Sequence, residues 1–250
     1  MGQPPLSDQA LTQLDSPLVR HVLIQDGDEP VGYAQVDQGS AEIAASDPAV
    51  IADLLDRIAA PGLLLWSHGK HSPLNALLPA AGFVPVRTLH QLRRPAGAPR
   101  PADAAPAGVT IRAFVPGKDE DEWLRVNAAA FAHHPEQGAW TIADLTAREA
   151  EDWFDPAGLF LAQRGDGLIG FHWTKTHSDG AGEVYVLAVD PQAQGLRLGS
   201  ILLGRGLRHL DELGCPYVLL YVDEDNTTAF ALYEKYGFTR FDLDSQWQRA

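Results

Sequence analysis

Between residues 109 and 250 the apolar positions switch between a period of two and a period near 3.6, and the switches outline a run of strands and helices. VTIRAF (109–114) alternates as a strand, whereas KDEDEWLRVNAAAFA (118–132) is acidic first and apolar afterwards, the order a helix N-terminus favours. TIADLTAREAEDWF (141–154) predicts a second helix with Thr141 as its cap. GLFLAQR (158–164) and GLIGFHWTKTH (167–177) are strands joined through a GDG turn, and GEVYVLAV (182–189) is another strand. Leu198, Ile201, Leu202, Leu210 and Leu213 then fall on or near one helical stripe that stops at Gly214. PYVLLYV (216–222) is a buried strand, NTTAFALYEKYG (226–237) a helix capped by Asn226, and FTRFDLDSQWQ (238–248) a closing strand. The order β-α-α-β-β-β-α-β-α-β predicts an α/β (α+β) domain with a mixed, mostly antiparallel sheet flanked by helices. A Rossmann unit would instead need its glycine turn after the first strand of an alternating run.

The pattern repeats. LLLWSH (63–68) aligns with VLLYVD (218–223), and AAGFVPVRTLHQLRR (80–94) with KYGFTRFDLDSQWQR (235–249), both at an offset of 155. PVGYAQV (30–36) pairs with LIGFHWT (168–174) and AEIAASDP (41–48) with GEVYVLAVDP (182–191), at offsets of 138 to 143. The chain therefore holds an internal repeat. The offset changes because the first copy lacks the glycine turn that in the second copy lies between Pro191 and Val218. Between the copies PAGAPRPADAAPAG (95–108) has no apolar period and is expected to be a linker. The expected organisation is a degenerate first domain over 1–94, the linker over 95–108, and a second domain over 109–250 that keeps a phosphate loop.

Composition narrows the partners. The formal net charge of −14 and a pI near 4.9 supply no basic face for nucleic acid, while a cationic small molecule would be attracted. The single cysteine, Cys215, cannot form an internal disulfide and is expected in the core. MGQPPLSDQALTQ lacks a basic start and an apolar run, so a cytoplasmic protein without a membrane partner, and a monomer, is the expectation. His133, His134 and His172 lack ligand spacing on one helix face with a carboxylate, and no metal is expected.

The element order, with Q-x-x-x-x-G at 194–199 and N-x-x-A-x-x-x-Y-x-x-x-G-F at 226–238, resembles the GNAT superfamily of acetyl-coenzyme A-dependent N-acetyltransferases. NAAAFAHHPEQGAWT, WFDPAGLFLA, GFHWTK, GEVYVLAVDP and LLYVDEDNTTA are similar, more closely, to the mycothiol synthase family, actinobacterial enzymes with tandem GNAT domains. The likeness extends into the first copy through LSDQAL, GYAQ and LRRP. It implies acetyl transfer from acetyl-CoA to the cysteinyl amine of Cys-GlcN-Ins, a cysteine-linked glucosaminyl-inositol. Two departures stand out. The first copy is short for the family and is expected not to bind coenzyme A, and Arg197 replaces the first glycine of the phosphate loop.

By resemblance, Leu187, Ala188 and Val189 offer backbone groups to the pantetheine arm and thioester. Gln194, Gly195, Leu196, Arg197, Leu198, Gly199 and Ser200 form the diphosphate loop, with bare amides at a helix start as the binding element. Arg197 is expected in the first helical turn with an ordinary negative φ, where arginine is a good helix former. Asn226, Thr227, Thr228, Ala229, Phe230 and Ala231 complete the coenzyme site. The resemblance makes Glu183 the general base and Tyr233 the acid for the leaving thiolate, and it gives Asp8, Glu136, Lys175, Glu183 and Tyr221 contacts to the acceptor. A non-catalytic acyl-CoA sensor and a GNAT enzyme for another small amine are the alternatives.

Overall fold

The computed structural model describes residues 4–101, 104–133 and 137–250, apart from the side chains of Asp8 and Gln9. Along the chain run α1 (Asp8–Thr12), β1 (Arg20–Asp26), β2 (Glu29–Asp37), β3 (Ser40–Ala44), α2 (Pro48–Ile58), β4 (Leu64–His68), α3 (Leu74–Leu77) and β5 (Phe83–Pro95). The second copy contributes β6 (Val109–Ala113), α4 (Glu120–Ala130), α5 (Ile142–Glu149), β7 (Leu159–Arg164), β8 (Gly167–Thr176) and β9 (Gly182–Val189). It closes with α6 (Leu198–Glu212), β10 (Tyr217–Asp223), α7 (Thr227–Lys235) and β11 (Thr239–Arg249). The fold is a mixed α/β one with mostly antiparallel pairing, as the apolar periods predict.

Packing divides the chain differently from the sequence repeat. One unit holds Met1–Gln91 with Val222–Thr227 and Arg240–Ala250; the other holds Leu92–Tyr221 with Thr228–Thr239. In the first unit the strand order is β1-β2-β3-β4-β11-β5. The last strand of the chain thus lies antiparallel to β4, with Asp244 opposite His68 and Trp247 opposite Leu65. Helix α2 is capped by Asp47, which accepts from the Ala49 N–H, and starts on Pro48, which has no N–H to satisfy. Its buried face is Ile51, Leu54, Leu55 and Ile58, spaced i, i+3, i+4, i+7. These side chains pack with Ile43, Leu65, Phe83 and Trp247, each large aliphatic one contributing roughly 1.5–3 kcal/mol by leaving water.

The second unit orders its strands β10-β9-β8-β7-β6, antiparallel except for β9 with β10. One face of the sheet carries an aromatic core of Trp123, Phe114, Phe171 and Trp173 under α4 and α5. The other carries Phe160, Ala162, Leu198 and Leu202 against α6. Thr141 caps α5 through a capping box with Asp144. Helix α6 lies so close to β8 that a Cβ on Gly206 would run into the His172 ring. The stretch after β5 is no loose tether. Buried Arg94 donates to the carbonyls of Tyr236 and Ala98, and Asp211 on α6 receives the Gly97 N–H and Arg100. Cys215 is buried, as expected of a core thiol. Among the described residues no helix is long and apolar enough to cross a membrane.

Candidate active site

Strand β9 organises the site, and a bulge makes it irregular. Trp173 lies opposite Val186 and Thr174 opposite Val184, so Tyr185 has no partner on β8. The extra residue turns Tyr185 and Val186 towards the same aromatic face. On its other edge β9 shares register with β10 only at Gly182–Val218 and Glu183–Leu219. Beyond Glu183 the β10-facing backbone of β9, including Leu187, Ala188 and Val189, has no register partner on β10. A parallel pair that stops after two residues leaves ladder groups available to an extended ligand.

Past β9 the chain is fixed by Asp190, whose carboxylate accepts from the Gln192 N–H at 2.9 Å and from Arg125 at 3.0 Å. Arg125 also donates to the Leu168 carbonyl. Gly195 follows with φ 85°, open to solvent. The ordinary φ expected of Arg197 is wrong. Arg197 is the N-cap of α6, one residue outside the helix, with φ 58° and ψ 23°. The loop enters the helix through a second left-handed residue, which is why glycine suits this place, and an L-residue there costs roughly 1–2 kcal/mol. Its side chain is exposed and makes no side-chain cap. The amides of Leu198 and Gly199 therefore lack an acceptor from the helix or its cap. A Cβ on Gly199 would meet only Leu232, at 3.6 Å, so internal packing does not require a bare Cα there. Ser200 turns its hydroxyl inward onto Tyr236, at 2.8 Å.

Glu183 is 8% exposed. Its Oε2 lies 2.7 Å from Nε2 of His177, whose side chain is 28% exposed. Lys175 sits directly opposite Glu183 on β8, and its ammonium lies 5.0 Å from the Trp153 ring centroid and 5.7 Å from that of Tyr185. Trp153 and Tyr185 in turn pack edge-on at 5.0 Å, and Trp173 joins them. Tyr221 lies two residues past Leu219 on β10 and is exposed. Tyr233, on α7, is buried against Phe238, and burial pushes its hydroxyl up to about 12. Thr228 to Ala231 lie in the same unit, while Asn226, Thr227 and Asp8 are counted with the first unit. Asp8 opens α1; Glu136 and His134 lie outside the described residues. Sequence reasoning missed His177, Trp153, Tyr185 and Arg125. No motif singled them out, and His177 meets Glu183 only across the turn after β8.

The model of the acetyltransferase (GNAT) family matches residues 123–238. A mycothiol acetyltransferase from Thermomonospora curvata is 50% identical over 99% of this chain and 88% of its own length. The chain belongs to the mycothiol acetyltransferase family. Another relative of that name, from Streptomyces avermitilis, is 48% identical over 99% of this chain and 86% of itself. Among solved structures, a GCN5-related N-acetyltransferase from Sphaerobacter thermophilus superposes with a TM-score of 0.72 at 22% identity, covering 91% of this chain and 79% of that one. A tandem GNAT protein from the clavulanic acid biosynthesis pathway gives 0.62 at 16%, covering 94% and 84%. These structures agree in fold with this mycothiol acetyltransferase family member.

The repeat explains what became of the first copy. Glu42 occupies the place there that Glu183 holds in the second, at an offset of 141. It is saturated: it accepts from the Ser7 N–H and hydroxyl, both at 2.7 Å, and pairs with His68 at 3.2 Å. His68 is gripped on its other nitrogen by Asp244, also at 3.2 Å. The turn from β3 to α2 spans residues 45–47.

Proposed function

We propose that this member of the mycothiol acetyltransferase family acetylates the cysteinyl amine of Cys-GlcN-Ins, with Glu183 as base and Tyr233 as acid. Family membership makes the chain an acetyltransferase that draws on acetyl-CoA as donor; the assignment of acceptor and residues is the proposal. One observation carries it: β9 parts from β10 just past Glu183, and the same strand leads into uncapped amides at α6. Gln194 to Ser200 would hold the diphosphate by those amides, helped by the positive end of α6. Leu187 to Val189 would pair with the pantetheine arm as with an added strand. That geometry aims the thioester at the Glu183 end.

The chemistry follows from placement. Glu183 takes the ammonium proton, the neutral amine attacks the acetyl carbonyl, and a β9 amide steadies the developing oxyanion. Tyr233 carries its proton, held more tightly by burial, and gives it up only to the thiolate that departs beside it. Thr228 to Ala231, near the start of α7, would line the coenzyme. Lys175, held over Trp153 and Tyr185, and Tyr221 offer donors to the sugar and inositol hydroxyls. Small-molecule substrates, not nucleic acid, suit the net charge of −14. The test is coenzyme A release from acetyl-CoA with Cys-GlcN-Ins, for the unaltered protein and for Glu183→Gln. The substitution should lower kcat by roughly 100-fold or more near neutral pH, with acetyl-CoA affinity unchanged. Release with other amines alone, or donor binding without turnover, would reject the reading.

A further inference from the structure

The amine nitrogen sheds two protons when an ammonium and a thioester become an amide and a thiol. One of them ends on sulfur. The other must reach bulk water in every turnover, whichever group first receives it. Glu183 is a poor exit, since it is 8% exposed and lies at the start of β9 under the aromatic face. Its Oε2 is already in contact with one group that can carry a proton onward, Nε2 of His177 at 2.7 Å. The His177 side chain is 28% exposed. Its backbone is fixed in the β8–β9 turn, where His177 N–H donates to Ala181 and the Gly180 N–H donates to the His177 carbonyl, both at 2.9 Å. Imidazole accepts on one nitrogen and releases from the other.

We propose that His177 relays the reaction proton from Glu183 to solvent, a role that rests on the reading of Glu183 as base. The substrate N–H bond breaks and the proton passes to the Glu183 carboxylate. The O–H on Oε2 then gives it to Nε2, while Nδ1 of the imidazolium loses a proton to water. Glu183, again ionised, takes the second proton as the C–N bond forms and the C–S bond breaks, and the thiolate collects a proton from Tyr233. Glu183 passes this second proton out through His177 as it did the first, and Tyr233 is reprotonated from water, so two protons leave and one returns, a net of one per acetyl group moved. His177 touches Glu183, and the Asp179 carboxylate in the turn lies within electrostatic reach of it; Lys175 sits opposite Glu183 on β8, and Tyr217 on β10 joins through Asp179. The Asp179 carboxylate accepts from the Ala181 N–H at 3.0 Å and from the Tyr217 hydroxyl at 3.3 Å. The Arg93 guanidinium covers the Tyr217 ring.

The experiment compares His177→Gln, His177→Ala and Glu183→Gln by steady-state kinetics in acetyl-CoA and Cys-GlcN-Ins across pH 6 to 9, with thermal melts as a folding control. Glutamine can still donate to Glu183 but cannot pass a proton on. Both His177 variants should lose about tenfold or more in kcat, keep the KM for acetyl-CoA, and acquire a rate that rises with buffer concentration. Added imidazole should restore His177→Ala and not His177→Gln. A folded His177→Gln with unaltered kcat and pH profile would overturn the relay, and so would a folded His177→Ala that imidazole leaves slow. If His177→Ala does not fold, the isosteric glutamine variant decides alone. Glu183→Gln at full speed removes the base and the relay together; Glu183→Gln slow with His177→Gln fast removes the relay only.

Discussion

Arg197 offers the sharpest test of how the diphosphate loop is built. It holds φ 58° and ψ 23° at the N-cap of α6, with an exposed side chain that makes no side-chain cap. Left-handed backbone costs an L-residue roughly 1–2 kcal/mol because Cβ crowds the following carbonyl. Replacing it with glycine removes that cost but gives the unfolded chain about 0.5–1 kcal/mol more conformational entropy to lose. The net expectation for Arg197→Gly is a gain of about 0.5–1 kcal/mol. At this chain length such a gain raises Tm by roughly 1–4 °C. Arg197→Ala keeps the Cβ and should show no such gain. Differential scanning calorimetry without ligand compares the three proteins, and titration calorimetry then measures acetyl-CoA binding. An exposed charge beside the loop is worth at most about 1 kcal/mol, so both variants should bind the donor within about fivefold of the parent. A glycine variant melting at or below the alanine variant would refute the backbone argument. A 100-fold loss of donor affinity in both would show that the guanidinium, and not the amides, holds the diphosphate.

Two further outcomes concern stability. Burial disfavours a charged His68, but its hydrogen bonds to Asp244 and Glu42 and their charges outweigh this and lift it to about 9. A folded-state value above the unfolded 6.5 means the stabilisation is complete below pH 6.5 and is lost as pH rises through about 9, on the order of 3 kcal/mol in all. Urea unfolding at pH 6 and pH 9.5 should show that loss in the parent and a much smaller one in His68→Asn; equal slopes with pH would exclude the triad as its source. Gly206→Ala should lower stability by roughly 1–3 kcal/mol, because the new methyl meets the buried His172 ring, which burial keeps neutral by pushing it down to about 4. An unchanged melting temperature would mean that α6 can slide away from β8.

Much of the second copy is written in local sequence. Alternation marks β7, β8 and β9, the 3.6 period marks α6, and Thr141 announces α5, because each depends on neighbours within a few residues. The repeat likewise follows from matched words such as GEVYVLAVDP and AEIAASDP. Contacts between distant segments could not be read that way. Asp244 meets His68 and Trp247 joins the core around α2 only because the last strand docks beside β4. The left-handed Arg197 depends on where α6 begins, a one-residue matter that periodicity leaves open. Tyr185 faces the aromatic cluster because of a bulge set by pairing with β8, and His177 reaches Glu183 across a turn. Period determined the elements and matched words the copies, while the chemistry entered through motifs that resemble a known family. Register, bulge and docking, which arise from backbone hydrogen bonds and burial between segments far apart in the chain, decided which side chains meet.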